Sequence, residues 1–141
     1  MVCRCRTDYR SPTEDPGYGV TMLHLFGVHA SLFEAWRVVN FEQEGEVYAL
    51  QVTAVLRDGS RLEMREYVLT GGSRKYAYHW MAADGSLRRR WDNAPHWPEV
   101  ATAPHHVHLS GQTMPDPSTI TTLEDLLQFL EESLEMPSAR E

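Results

Sequence analysis

The chain has 141 residues, 42% of them hydrophobic, which is enough for one domain with a real core and too little for two. No apolar run approaches the roughly 18 residues of a membrane span, and the opening "MVCRCRTDYRSPTEDPGYGV" lacks the apolar centre of a secretory signal, so a cytoplasmic protein with no membrane partner is expected. A formal charge of −7 argues against nucleic acid only if it is spread evenly, and it is not.

In chain order, residues 1–20 read as a flexible leader. Cys3 and Cys5 lie there in polar surroundings, where reduced thiols are expected and the C-x-C pair is at most half of a metal site. Next come "VTMLHLFGV" and "SLFEAWRVVNFEQ", read together as one or two strands, although "SLFEAWRVV" also fits a short helix. Beyond them Tyr48, Leu50, Val52, Ala54 and Leu56 alternate with more polar neighbours, as do Leu62, Met64 and Val68. "RDGS" at 57–60 supplies the Asp-Gly turn of a hairpin between these two runs. After Gly71-Gly72, "KYAYHWM" puts Tyr76, Tyr78 and Trp80 on one face. A second turn, "ADGS" at 83–86, leads into "SLRRRWD", which makes a four-stranded meander.

From Asn93 to Pro117 the chain carries five prolines. Each removes an amide donor and restricts its predecessor, so most of this stretch is expected to be a long ordered or functional loop. The pattern closes with "TTLEDLLQFLEESLE". Thr121 and Glu124 fit a capping box there, and Leu123, Leu126, Leu127, Leu130 and Leu134 line one helical face that needs the sheet as its partner. The expected fold is therefore α+β: an antiparallel sheet of about five strands with one C-terminal helix packed on it. A long His/Pro-rich loop crosses a face or an edge. The single domain spans 21–134, and 135–141 form a tail.

Charge is polarised along this plan. Residues 111–141 hold seven acidic side chains and one basic, whereas 60–90 carry Arg61, Arg65, Arg74, Lys75, Arg88, Arg89 and Arg90 against Glu63, Glu66 and Asp84. The basic strands are the expected nucleic-acid face, with the acidic helix away from it.

No phosphate-cradling glycine loop, nucleophile elbow or H-E-x-x-H helix occurs, which leaves "RRRWDNAPHWPEVATAPHHVHL" at 88–109 as the candidate site. Three readings of it stay open. His96, His106 and His108 with Asp92 could ligate a transition metal, since neutral imidazole suits zinc, nickel or copper. The imidazoles could instead only bond backbone in a proline-rich loop, with the tryptophans packing that loop onto the sheet. Or the same side chains could cleave RNA without a metal, which needs a base for the 2′-hydroxyl, an acid for the leaving oxygen and cations around the phosphate. Trp91, Trp97 and Tyr78 would then stack unpaired bases.

The run from Tyr76 to Leu109 resembles the TumE-like toxins of prokaryotic toxin-antitoxin systems. The resemblance rests on the Y-x-Y of Tyr76 and Tyr78, the turn at Asp84-Gly85, the R-W-D-N-A-P-H of Arg90 to His96 and the P-H-H-x-H of Pro104 to His108. "DGSRLEMREYV" at 58–68 looks like the family's central hairpin. The chain departs at Trp97, where a second histidine is common in the family, and at Val107, where lysine is. The resemblance covers about residues 22 to 134 and implies a growth-inhibiting toxin partnered by a small helix-turn-helix antitoxin.

The resulting expectation is a metal-independent endoribonuclease or translation inhibitor of a type II toxin-antitoxin system. His106 and His108 form the acid–base pair, with His96 or His105 substituting for either. Asp92 orients an imidazole, and Arg88 and Arg90 stabilise phosphate charge. RNA and the antitoxin are the expected partners, a homodimer is left open, and no cofactor is required. The alternatives are a non-catalytic toxin that binds a protein target, and a His-cluster metal-binding domain without toxicity.

Overall fold

Alternation sets the architecture. In β2 (Val47–Leu56) every second residue, Tyr48, Leu50, Val52, Ala54 and Leu56, is buried while its neighbours are half-covered, because successive side chains of a strand point to opposite faces. The structure is a computed structural model describing residues 17–135. Cys3, Cys5, most of the expected leader and nearly all of the expected tail lie outside the described residues.

β2 belongs to a seven-stranded antiparallel sheet in which each strand pairs with the next in sequence. The others are β1 (Phe33–Glu44), β3 (Arg61–Val68), β4 (Arg74–Met81), β5 (Leu87–Asp92), β6 (His106–Leu109) and β7 (Asp116–Pro117). Both Asp-Gly turns form as the sequence predicts. Asp58 and Asp84 each accept the backbone N–H of the serine two residues on, at 2.9 Å. Gly59 and Gly85 take φ values of 89° and 90°, where glycine meets no steric penalty.

The sheet exceeds the expected five strands because the His/Pro-rich segment supplies β6 and β7. His106–Leu109 contains no proline, so its amides are free to pair with β5. Pro117 sits on the outermost strand, where a missing donor disrupts no ladder.

A second correction concerns "VTMLHLFGV", which forms helix α1 (Gly17–Val28) and not a strand. Met22, Leu23 and Phe26 are buried, and Phe26 stacks on Trp36 of β1 at 4.9 Å between ring centroids. The segment is apolar on almost every side, so neither the period of a strand nor that of a helix stands out.

Helix α2 (Leu123–Glu135) lies on the sheet as its leucine stripe predicts, with Leu123, Leu126, Leu127 and Leu130 fully buried and Leu134 packed against the same core. Its cap is shifted by one residue from the expected Thr121/Glu124 pair. Thr122 Oγ1 accepts the Asp125 N–H at 3.1 Å, and Asp125 Oδ2 accepts the Thr121 N–H at 3.2 Å. Aspartate serves because its carboxylate reaches an orphan amide and sits at the positive end of the helix dipole.

One buried polar cluster joins this helix to the sheet. Glu66 of β3 is fully buried on the core face, ion-paired with Arg74 and accepting the Tyr78 hydroxyl at 2.6 Å. Arg74 also donates to Tyr78 Oη at 3.0 Å and to the Thr121 carbonyl at 2.7 Å, just before α2 begins. Burial raises the Glu66 carboxyl above its ordinary 4.5, against the opposing pull of Arg74 and Tyr78. The stability contributed by a carboxyl raised in this way is full below its unfolded value and fades as pH rises through the folded one. Without Arg74 the carboxylate would be an uncompensated buried charge, a defect of about 3–5 kcal/mol. Arg74→Met is therefore expected to lower stability at pH 7 by roughly 3 kcal/mol, with the deficit shrinking toward pH 4. Paired urea unfolding of variant and wild type across that range checks both magnitude and sign.

Candidate functional site

Three neighbouring strands build the site by the same alternation. Tyr78 and Trp80 of β4, Trp91 of β5 and Val107 of β6 all enter the core. Their chain neighbours His79, Arg90, Asp92, His106 and His108 must then lie on the opposite face, away from the helices. Trp91 is packed between Trp80 and Phe129 of α2, with ring centroids at 6.4 Å and 5.5 Å. A one-residue slip of β5 would drive Arg90 and Asp92 into that apolar space.

At the centre stands Asp92, 4% exposed. Its Oδ1 lies 2.9 Å from His106 Nε2 and accepts the Ala94 N–H at 3.0 Å. Its Oδ2 lies 3.3 Å from Arg90 Nε and 3.8 Å from His108 Nε2. His106 is buried, and its Nδ1 is 2.9 Å from the Pro104 carbonyl oxygen. Both of its ring nitrogens thus face oxygen atoms. His108 differs in kind. It reaches solvent, packs edge-on against His106 at 4.9 Å and against Trp97 at 6.3 Å, and none of the described residues accepts or donates a hydrogen bond at its ring. Burial holds its protonation below the ordinary 6.5, Asp92 pulls upward, and His106 and Arg90 push down again. A neutral, reachable imidazole beside a buried carboxylate is suited to accept a proton.

The remaining expected site residues separate. Tyr78 and Trp91, expected to stack bases, are buried and cannot meet a base in this arrangement. Trp97 alone of the three stays partly exposed, at the edge of His108. His105 turns to the core side, its Nδ1 2.8 Å from the Tyr76 hydroxyl. Its protonation is lowered by burial, then by Arg74 and His106. His96 is exposed on the 93–105 loop with no partner among the described residues. His106 is buried and His108 reaches solvent, which separates the expected His106/His108 pair into two environments. The arginine run divides as well. Arg88 lies over the Trp80 ring and pairs with Asp58 at 3.3 Å, and Arg89 lies over Phe129. Of the three, only Arg90 joins the histidine cluster. Arg61, Arg65 and Lys75 share its face by alternation, with the acidic α2 on the other side of the sheet, as the charge pattern anticipates.

Sequence reasoning passes over two residues. Glu66 occupies a core-face position between Met64 and Val68, a signal visible in the alternation itself. His79 lies opposite Arg90, which in turn lies opposite His108. Counting outward from the Asp84-Gly85 turn points to it, except that a bulge between Trp80 and Met81 shifts the register.

The family model described as Toxin TumE matches residues 22–134. The chain belongs to the TumE toxin family. No curated protein and no solved structure matches it. The match takes in α1 from Met22 onward, the whole sheet and α2 nearly to its end, so the TumE match contains the Asp92 cluster entire. Among the described residues no helix is long and apolar enough to cross a membrane. In the R-W-D-N-A-P-H motif of this TumE-family chain, Asn93 serves the backbone. Its side-chain oxygen accepts the Tyr76 N–H at 3.0 Å and its amide donates to the Arg74 carbonyl at 2.8 Å. It thereby extends the β4–β5 ladder past the last paired residue and fixes where the loop departs.

If Asp92 organises this cluster, Asp92→Asn should shift the His108 titration lower still, because the charge that raises it is gone. Loss of a buried carboxylate that accepts from the Ala94 N–H and meets His106 Nε2 should also lower stability by about 1–3 kcal/mol. Imidazole NMR titration and urea unfolding check the two effects separately.

Proposed function

We propose that this TumE-family toxin is a metal-independent endoribonuclease of a type II toxin-antitoxin system, held inactive by a helix-turn-helix antitoxin. The observation that carries the reading is the solvent-reaching His108 set against buried Asp92, with Arg90 and Trp97 at its sides. An imidazole takes the 2′-hydroxyl proton, a guanidinium meets the phosphate charge, and an indole stacks an unpaired base. Arg90 uses Nε on Asp92 and leaves its two terminal nitrogens without a hydrogen bond among the described residues, a free fork of the kind that binds phosphate. The basic strands Arg61–Val68 and Arg74–Met81 give an extended backbone track the matching sign.

A second reading has an observation of its own. Asp92, His106 and His108 place ligand atoms within 4.8 Å of one another, and the His106 Nδ1 contact to a carbonyl is the usual outer support of a metal-bound imidazole. His96, the fourth ligand considered from sequence, is not among them. Against a cation at the carboxylate stands Arg90, whose Nε already occupies Oδ2 at 3.3 Å.

The test is RNA cleavage by purified toxin after exhaustive chelation. Undiminished cleavage with a bell-shaped pH profile is expected. Cleavage that vanishes and returns only with zinc or nickel would move the three residues to the metal reading. In cells, expression without the antitoxin is expected to arrest growth and to produce new RNA 5′ ends absent from a His108→Gln control.

The same face is the surface to be covered by the antitoxin. Trp97 is an anchor of the type enriched at interfaces, and truncating such anchors costs about 2 kcal/mol or more, roughly thirtyfold in affinity. Trp97→Ala should weaken the antitoxin complex by about that factor while its melting temperature stays near wild type, and RNA should compete with antitoxin. Simultaneous binding of both without loss of affinity, read by calorimetric titration, would contradict this.

A further inference from the structure

One cross-strand row on the open face runs through the Asp92 cluster and extends beyond it. Thr53, Glu63, His79, Arg90 and His108 stand opposite one another along five consecutive strands, β2 to β6. Their burial alternates with that of core residues on either side in the chain, so all five present to the same surface. His79 and His108 are half-covered, and the Arg90 side chain is 50% exposed. Each histidine is one strand from Arg90, and the two are two strands from each other. With neighbouring strands about 4.8 Å apart, the imidazoles rise from backbones separated by about 10 Å with a guanidinium between them. That gap fits one phosphate group with a hydrogen bond of about 3 Å on either side.

We infer that His79 is the general acid of RNA cleavage and His108 its base, flanking a single phosphate bound on Arg90. The inference rests on the ribonuclease reading above and adds to it a residue and a direction. His108 takes the proton of the 2′-hydroxyl; O2′ bonds to phosphorus; the bond from phosphorus to O5′ breaks; and O5′ takes a proton from His79. The products are a 2′,3′-cyclic phosphate and a 5′-hydroxyl, and the two rings have exchanged protonation states, which water restores.

The polarity follows from the neighbours. His108 has Asp92 to stabilise the proton it gains and Trp97 to hold the base of the nucleotide whose 2′-hydroxyl attacks. On the far side, burial and then Arg90 hold the protonation of His79 below its ordinary 6.5, and Glu63, which it faces, pulls the other way. A phosphate on Arg90 cancels the charge that opposes His79, so binding itself prepares the acid.

The test uses the full-length toxin with two substrates: a single-stranded RNA, and the four nucleoside 3′-(4-nitrophenyl phosphates), whose phenolate leaves without a proton. His108→Gln should lose about 10²–10⁴-fold on both. His79→Gln should lose a comparable factor on RNA yet stay within about tenfold of wild type on the aryl esters, since only proton donation to the leaving oxygen is missing. Affinity of each variant for a 2′-deoxy analogue should match wild type within a few fold. Equal losses on both substrates, or unimpaired RNA cleavage by His79→Gln, would overturn the acid assignment and leave the His108 reading standing. A wild-type toxin that cuts no RNA would overturn both. Should the variant fail to fold, the dependence of wild-type rate on leaving-group pKa decides: a shallow slope is expected, and a steep one excludes any general acid.

Discussion

The site depends on the burial of Trp91. That indole is 1% exposed and wedged between Trp80 and Phe129, a contact set no neighbouring residue of β5 can replace. Burying a side chain of this size is worth about 3 kcal/mol, at least as much as a single hydrogen bond at the site. Arg90 and Asp92 are thereby forced to the other face, and through the β5–β6 ladder His106 and His108 are brought beside them. The polar cluster is thus positioned by an apolar contact on the far side of the sheet.

Both layers that result are polar where they must be. Under the helices, Glu66 and Arg74 satisfy one another, Tyr78 and the Thr121 carbonyl, so the buried carboxylate of the core face has its partners. Burial lifts the proton affinity of the Tyr78 and Tyr76 hydroxyls far above the ordinary tyrosine value, which keeps them neutral donors. The 93–105 loop meets the cluster at Ala94 N–H on Asp92, at the Pro104 carbonyl on His106 and at Trp97 against His108. Its turns are bonded internally, as in His105 N–H to the Thr102 carbonyl at 2.9 Å, and tied to the β7 end through Ser118 N–H to Thr102 Oγ1 at 2.9 Å.

How much of this can be read from the residues follows from how local each signal is. The hairpins at Asp58-Gly59 and Asp84-Gly85 are legible because turn chemistry and alternation agree there, and the leucines of α2 because a polar face contrasts with them. α1 is not, since an apolar segment without a polar face carries no period. β6 and β7 stay hidden because proline density describes a segment and pairing needs only the four proline-free residues His106–Leu109. The motif places Asp92, Arg90 and His108 in the candidate site, yet which histidine is reachable depends on packing: His105, His106 and His108 are close in the chain and occupy three environments. Trp91 and Tyr78 are aromatic enough to stack a base, and only their burial assigns them to the core. His79 needs the register of three strands, which no short window contains.

The strict alternation of β4, β5 and β6 has a consequence for how substitutions combine. Residues adjacent in sequence, such as Tyr78 and His79 or Trp91 and Arg90, sit on opposite sides of one sheet and share no partners. Their side-chain contacts belong to separate networks, coupled through the strand that they share. Asp92 is the exception: its carboxylate supports the loop through Ala94 and the imidazoles at once. Coupling through polar contacts at the site is therefore concentrated at Asp92, whereas the helical side acts on the histidines through the placement of β5 and β6 that Trp91 holds.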